Sequence, residues 1–219
     1  QQWKPRLAAF NDTVTWSPMI DPEQLKAVSL SAVREAGAIL LFHAWASAPI
    51  VEGGRVTGII FESKQGRFAI LSTVTIDSTG DGDIFAAAGE QAAENVEETS
   101  IHHCMNTAWL WGGVDIKEWL NFRQSDGFAA FSEAGHAAIA SFDTPDATWR
   151  DDVAVFMGPR FAGYNALDVQ DLTEVELRSR DKMMELLAFY RRHAPGFARA
   201  WILLSAPQIG IRHSRRLVG

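Results

Sequence analysis

The sequence predicts a mixed α/β fold, and two regions of the chain carry that prediction. In the first, apolar residues recur at helical spacing between Asp21 and Gly37. In the second, β-favouring residues 74–77 lead into a glycine-rich acidic loop and then into a helix-like segment, Ile84–Gly89. The chain has 219 residues, 47% of them hydrophobic, which is enough for a packed core in one large or two small domains.

The first helix is predicted from signals at both of its ends. Asp21 is a typical N-cap residue, Pro22 suits the first helical position, and Glu23 places an acid in the first turn. Gly37 is a typical residue just after a helix. A helix is therefore expected between these residues.

Short strands are expected to follow this helix. The apolar run 38–42 predicts a strand, and Gly53–Gly54 predicts a turn. Residues 55–62 and 67–71 predict two paired strands of a small antiparallel meander. A last strand is predicted over 74–77.

The middle of the chain predicts a second layer. Residues 91–98 are polar and acidic and are expected to form a crossover, and residues 100–115 predict a strand. Residues 116–147 predict helices and loops. Among the tryptophans, Trp109, Trp111 and Trp119 most simply predict an aromatic core, with a pocket for a sugar or ring as the alternative.

A long helix is predicted from Asp171 to Arg192. Thr173 and Glu176 have the spacing of a capping box near its start. Pro195–Gly196 is expected to end it, because proline cannot continue a helix.

Charge and cysteine content exclude several classes of protein. The net charge of −7 argues against general nucleic-acid binding, and no apolar run reaches the roughly eighteen residues needed to cross a membrane. No signal peptide is recognisable, and the single cysteine, Cys104, predicts a reducing, cytoplasmic setting. His102 and His103 would point to opposite faces of a strand, so no metal site is predicted.

The loop at residues 79–83 is the main candidate for a ligand site. Gly80 and Gly82 allow a backbone to come close to a ligand, since they lack a Cβ. Asp81 and Asp83 can accept hydrogen bonds from hydroxyl groups such as those of a ribose. The alternative interpretation is an ordinary strand-to-helix turn capped by Asp83.

Several motifs in order resemble one family. Residues 76–83 (IDSTGDGD) are similar to the D-A-T-G-D-G-D segment of FAD-dependent oxidoreductases of the glutathione-reductase-like superfamily. Residues 167–173, 191–197 and 207–219 resemble the D-L-T, P-G-F and Q-I-G-V-R-E-S-R-R-I-V-G motifs of one branch of that superfamily. His213 stands where that branch usually has glutamate.

The resemblance implies a fold and an activity. The fold is an FAD/NAD(P)-binding Rossmann-like fold, incomplete here, with an inserted α+β substrate or cap domain. The FAD-binding part would comprise 1–98 and 205–219, and the cap domain 99–204. The implied activity is hydride transfer between FAD and a small-molecule organic substrate.

The resemblance also implies cofactor-binding residues, whereas no catalytic residue can be named. Arginines of the last motif could neutralise negative charge on a flavin or substrate, and one of the adjacent pair is expected to bind an acid of the cap domain. The alternative is a solvated or structural basic segment. The implied cofactor-binding residues are Ala46 at the adenine, Thr79, Gly80, Asp81, Gly82 and Asp83 in the loop, and Arg212, Ser214, Arg215 and Arg216 near the flavin.

One element of the family pattern is missing from the sequence. No G-x-G-x-x-G turn occurs, although this turn and its helix hold the pyrophosphate of the cofactor. The chain is therefore expected to be a fragment of a longer protein. Two alternatives remain open: a non-catalytic fragment or subunit that needs a partner chain or a second copy, and a flavin-free binding domain.

Overall fold

The computed structural model describes residues 20–94, 105–140, 142–212 and 214–218. Contacts divide the chain into two compact units. Unit 1 comprises Gln1–Ala32 and Glu97–Arg212, and unit 2 comprises Val33–Val96 and His213–Gly219. The structure has mixed α and β composition. The domain boundaries implied by the family resemblance stay a prediction.

The first helix, α1 (Pro22–Glu35), confirms the sequence prediction. Oδ1 of Asp21 accepts hydrogen bonds from the backbone N–H groups of Glu23 and Gln24, at 3.0 and 3.3 Å. Gly37 follows the helix with φ 73°, a conformation that favours glycine. None of the helix residues is buried.

Unit 2 contains a three-stranded antiparallel sheet in the order β1 (Trp45–Glu52), β2 (Arg55–Ser63) and β3 (Gly66–Leu71). The predicted paired strands are therefore confirmed. Gly53 and Gly54 connect β1 to β2 with φ values of 58° and 76°, as a tight hairpin turn requires.

Two strand predictions in unit 2 are wrong. Residues 38–42 and 74–77 are not strands, and the strand before the Gly53–Gly54 turn is instead β1. Both segments are rich in apolar residues, but a strand also needs a hydrogen-bonded neighbour, and the described residues supply none for either segment. Their large apolar side chains are exposed, with Ile39 at 97% and Ile76 at 84%.

After this sheet, the described residues of unit 2 form a short helix and a two-stranded ladder. Helix α2 (Asp83–Ala87) follows the glycine-rich loop, as predicted. Strand β4 (Ala92–Glu94) pairs antiparallel with β11 (Arg215–Leu217). The predicted crossover at 91–98 thus begins with a strand, and residues 95–98 lie outside the described residues.

Besides the part of α1 up to Ala32, unit 1 has a four-stranded antiparallel sheet and three helices among its described residues. These elements and a short strand pair are β5 (Met105–Asn106), β6 (Trp109–Gly112), α3 (Ile116–Arg123), α4 (Gly127–Ala138), β7 (Asp146–Ala147), β8 (Val153–Phe156), β9 (Arg160–Phe161), α5 (Val169–His193) and β10 (Trp201–Ser205). The order in the sheet is β10–β6–β8–β7, and a separate pair joins β5 to β9. The predicted strand at 100–115 is in part confirmed as β5 and β6, while His102, His103 and Cys104 lie outside the described residues.

The long helix α5 is confirmed, but its predicted capping box is wrong. Asp168 caps the helix, since its Oδ1 accepts from the N–H groups of Gln170 and Asp171 at 2.7 and 3.1 Å. Glu176 lies within the helix and accepts from the N–H of Ile209 at 3.0 Å. The earlier start follows from Asp168, which is as good an N-cap residue as threonine.

An aromatic core fills unit 1, which confirms the core interpretation of the tryptophans. Trp109, Trp111 and Trp119 are no more than 2% exposed. The Trp111 ring lies 5.0 Å from that of Tyr190. Burial raises the pKa of Tyr190 well above its ordinary value, and its hydroxyl donates to the Asp143 carbonyl at 2.8 Å.

Candidate functional site

The loop between β3 and α2 is organised by Asp77. Its Oδ1 accepts from the N–H and the hydroxyl of Thr79 at 2.9 and 2.8 Å. Its Oδ2 accepts from the N–H groups of Ile84 and Phe85 at 3.1 and 3.0 Å, which caps the start of α2. The prediction that Asp83 caps this helix is therefore wrong. Asp77, six residues before Asp83, caps the helix instead, because the loop folds back and brings its carboxylate to the start of α2.

These hydrogen bonds also set the charge of Asp77. Burial by itself raises the pKa of this carboxyl, but the hydrogen bonds from Thr79, Phe85 and Ile84 outweigh burial, and the pKa lies below its ordinary value. Asp77 is therefore ionised at neutral pH and keeps its four acceptor contacts.

The two glycines of the loop have different structural roles. Gly80 has φ 90°, and a Cβ built there would have no atom within 4 Å, so its surroundings are open. Gly82 has φ 66°, and a Cβ there would lie 1.9 Å from the Phe85 ring. Gly82 thus makes room for Phe85, whereas Gly80 presents bare backbone at the exposed tip of the loop.

A second segment of unit 2 binds the acids of this loop. The buried Ser214 donates from its hydroxyl to Oδ1 of Asp81 at 2.5 Å. The Arg215 guanidinium donates to Oδ1 of Asp83 at 2.6 Å and to the Asp81 carbonyl at 3.3 Å. Pairing of β11 with β4 holds this segment in register. Each carboxylate keeps a second oxygen, Oδ2, with no described partner.

The predicted arginines separate into three environments. Arg215 is the structural member of the adjacent pair, but its acidic partner is Asp83 and not a residue of the predicted cap domain, so that part of the prediction is wrong. Arg216 lies opposite Ala93 in the ladder, and its side chain is exposed. Arg212 belongs to unit 1 and is also exposed.

Ala46 lies in β1, where it pairs with Phe61. Its chain neighbour Trp45 lines an open cavity of about 850 Å³, together with His43 and Glu62 among others. His43 has φ 57°, which is uncommon for a residue other than glycine. Helix α2 packs against β1. The loop that precedes α2 and Ala46 of β1, the two predicted parts of the site in unit 2, therefore belong to neighbouring elements.

The described residues contain neither a candidate metal cluster nor a candidate membrane-spanning helix. Within the part of the chain that the structure describes, no three His, Cys, Asp or Glu side chains come together as a possible metal site. Among the same residues, no helix has both the length and the apolar character to span a membrane.

Comparison with known proteins supplies the family. The chain matches the family described as FAD dependent oxidoreductase over residues 2–219. The chain belongs to this family. No curated protein and no solved structure shows a match to the chain.

Membership of the FAD dependent oxidoreductase family supports a general flavin oxidoreductase function with FAD as the cofactor. The loop geometry is compatible with this cofactor. The open space at Gly80 allows close approach, and the unused oxygens of Asp81 and Asp83 can accept hydroxyl hydrogen bonds.

Proposed function

We propose that the chain is part of an oxidoreductase in which bound FAD exchanges a hydride with a small organic substrate. The cofactor supplies the redox chemistry, and the protein binds it and orients the substrate. We further propose that the Asp77–Asp83 loop, with Ser214 and Arg215, faces the cofactor. The supporting observation is that two segments of the family match more than 130 positions apart, the loop at 77–83 and residues 214–215, meet in one hydrogen-bonded cluster.

In this proposal the acids and the arginines have separate tasks. Asp81 and Asp83 accept from cofactor hydroxyls through Oδ2, while Oδ1 of each is held by Ser214 or Arg215. The held oxygens fix the direction of the free ones before the cofactor binds, which lowers the entropic cost of binding. Arg216, without a described acidic partner, is available to a flavin or substrate anion.

The family resemblance also suggests roles for Ala46 and Arg212 and a division into domains. We propose that the backbone of Ala46 meets the adenine, and that Arg212 lies near the flavin end of the cofactor. The proposed FAD/NAD(P)-binding Rossmann-like part comprises 1–98 and 205–219, and the proposed cap domain 99–204. The proposed partner is a small organic substrate, in a cytoplasmic setting.

The test is a pair of glycine variants in a protein extended at both ends. Gly80→Val should lose most of the bound FAD and keep the fold, because a branched side chain would fill the space that the cofactor needs. Gly66→Val is the matched control, since Gly66 also has a positive φ and open surroundings but is the first residue of β3. Flavin absorbance per protein and circular dichroism give the two readouts.

The control removes the effect of backbone strain from the result. Both variants place valine at positive φ, so any loss of FAD confined to Gly80→Val reports on the loop itself. A Gly80→Val protein that purifies yellow with normal flavin content would contradict the proposal.

A second candidate function is a subunit that completes its flavin site with a partner chain or a second copy. The observation that favours it is the exposure of apolar side chains in unit 2, including Ile39 at 97%, Val74 at 76% and Ile76 at 84%. Titration of the 219-residue chain with FAD, followed by flavin fluorescence, separates the two candidates. We expect weak binding by this chain alone; tight stoichiometric binding would exclude the need for a partner.

A further inference from the structure

A pocket in unit 1 is not used by the proposed redox function. It has a volume of about 440 Å³ and lies where the C-terminus of α5 meets the N-terminus of α3. Arg191, Arg192 and Arg199 line it together with Asp115 and Glu118. The volume lies in the range of pockets that take small molecules.

The walls of this pocket are held by close backbone contacts. A Cβ at Gly196 would lie 2.6 Å from the Asp115 carbonyl oxygen, and one at Gly113 would lie 2.8 Å from that of Arg199. The N–H of Asp115 donates to the Gly196 carbonyl at 2.9 Å, and Phe197 beside it is fully buried. The pocket is therefore formed by fixed backbone and not by mobile side chains alone.

The charged side chains that line the pocket differ in whether they have a described hydrogen-bond or ion-pair partner. Arg191, Arg192 and Arg199 have no ion-pair or hydrogen-bond partner among the described residues. Asp115 already accepts from the N–H of Glu118 at 2.9 Å as the N-cap of α3. Three exposed arginines and two acidic residues thus line one pocket in a chain whose net charge is −7.

We propose that this pocket binds a phosphate group, either free or as part of a small phosphate ester. Guanidinium groups form paired hydrogen bonds with phosphate oxygens, and they stay charged at any physiological pH. Two arginines in the last turn of α5 also balance the negative end of the helix. That role does not account for Arg199, which lies beyond the helix and lines the same pocket.

The ligand is recognised through its phosphate, by residues of a different unit from the proposed cofactor loop. The pocket residues all belong to unit 1, whereas the loop and its partners belong to unit 2. The proposal therefore goes beyond the redox function and can be tested without flavin.

The test is calorimetric titration of the 219-residue chain with inorganic phosphate, glycerol 3-phosphate and succinate. We expect saturable binding of the two phosphate probes, weaker binding of succinate, and weaker binding of all probes at high salt. Tighter binding of glycerol 3-phosphate than of inorganic phosphate identifies a phosphate ester as the ligand, and the reverse identifies free phosphate. Arg192→Met and Arg199→Met should each weaken phosphate binding about tenfold.

The matched control is Arg34→Met. Arg34 is also an exposed arginine in the last turn of a helix, without a described partner, but it is remote in sequence from the pocket residues. The Arg34→Met variant should bind the phosphate probes with the same affinity as the unmodified chain. Thermal unfolding of each unliganded variant checks that the fold is kept.

Three results would overturn the proposal. The first is no saturable binding of either phosphate probe, and the second is equal loss of binding in Arg34→Met. The third is loss of FAD from the extended protein by Arg192→Met and Arg199→Met, because the pocket would then serve the cofactor. Failure of the Gly80→Val test would leave the phosphate titration unaffected, so the two proposals fail independently.

Discussion

The two units of the chain are stabilised in different ways. In unit 1, buried aromatic side chains pack in a continuous cluster, with Trp109, Trp111, Trp119, Tyr190 and Phe197 at its centre. In unit 2, Ile59 and Ile84 are the buried large apolar side chains among the described residues. Strand pairing and the hydrogen bonds of a few charged side chains hold unit 2 together instead.

This difference separates a region with a large packed core from the region that holds the cofactor loop. A packed aromatic core contributes to stability through the large area that it removes from water. A loop held by ionised side chains keeps polar atoms and open backbone available to a ligand, as at Gly80. With the exception of Arg212, the proposed cofactor contacts therefore lie in the unit with the smaller core.

The largest expected effect is on the core of unit 1. Trp111→Ala should lower the free energy of unfolding by about 3–5 kcal/mol, because it leaves a cavity among fully buried rings. Trp45→Ala is the control in unit 2, where Trp45 is 72% exposed. This variant should change the free energy of unfolding by less than about 1 kcal/mol. Urea unfolding followed by circular dichroism measures both. Equal costs for the two variants would remove the contrast between the units.

A smaller effect is expected from Asp77→Asn, which should lower the free energy of unfolding by about 1–2 kcal/mol at neutral pH. Since the pKa of Asp77 is lowered from 3.8 by folding, its contribution is present above that value and is lost as the pH falls below it. The difference between the variant and the unmodified chain should therefore shrink on acidification to about pH 2–3. Thermal unfolding across this pH range measures it.

The control for this experiment is Ser78→Ala, an exposed neighbour of Asp77. It should change stability by no more than about 0.5 kcal/mol at any pH. A difference between Asp77→Asn and the unmodified chain that stays constant from neutral to acid pH would contradict the ionised cap.

The smallest effect is expected from the adjacent arginines of β11. Arg215→Met should lower the free energy of unfolding by about 0.5–1 kcal/mol, because it breaks the partly exposed ion pair with Asp83. Arg216→Met should cost less, because its exposed side chain has no described partner. Hydrogen exchange of the Asp83 amide reports on the loop, and faster exchange in Arg216→Met than in Arg215→Met would reverse our assignment of the two residues.

Much of the local structure could be predicted from the sequence. Asp21 with Pro22, the Gly53–Gly54 turn and the break at Pro195 are signals that act within a few residues, and the structure confirms each of them. The glycine-rich loop was also found from the sequence, because its strand-like entry, glycines and acids are contiguous.

The organising role of Asp77 was missed, although a signal for it exists. An aspartate followed two residues later by threonine often bonds the local backbone, as Asp77 does with Thr79. Its second contact, to the start of α2, depends on how the loop folds back and has no signature in the spacing.

The sequence by itself determined most of the local elements and the family to which the chain belongs. The cofactor role of the loop stays a prediction. Only the tertiary structure decided that residues 38–42 and 74–77 are not strands, because a strand needs a partner that local composition does not specify. It also decided that Ser214 binds Asp81 across 133 positions of the chain. Pairings of that length depend on the packing of β4 against β11, and no local pattern encodes them.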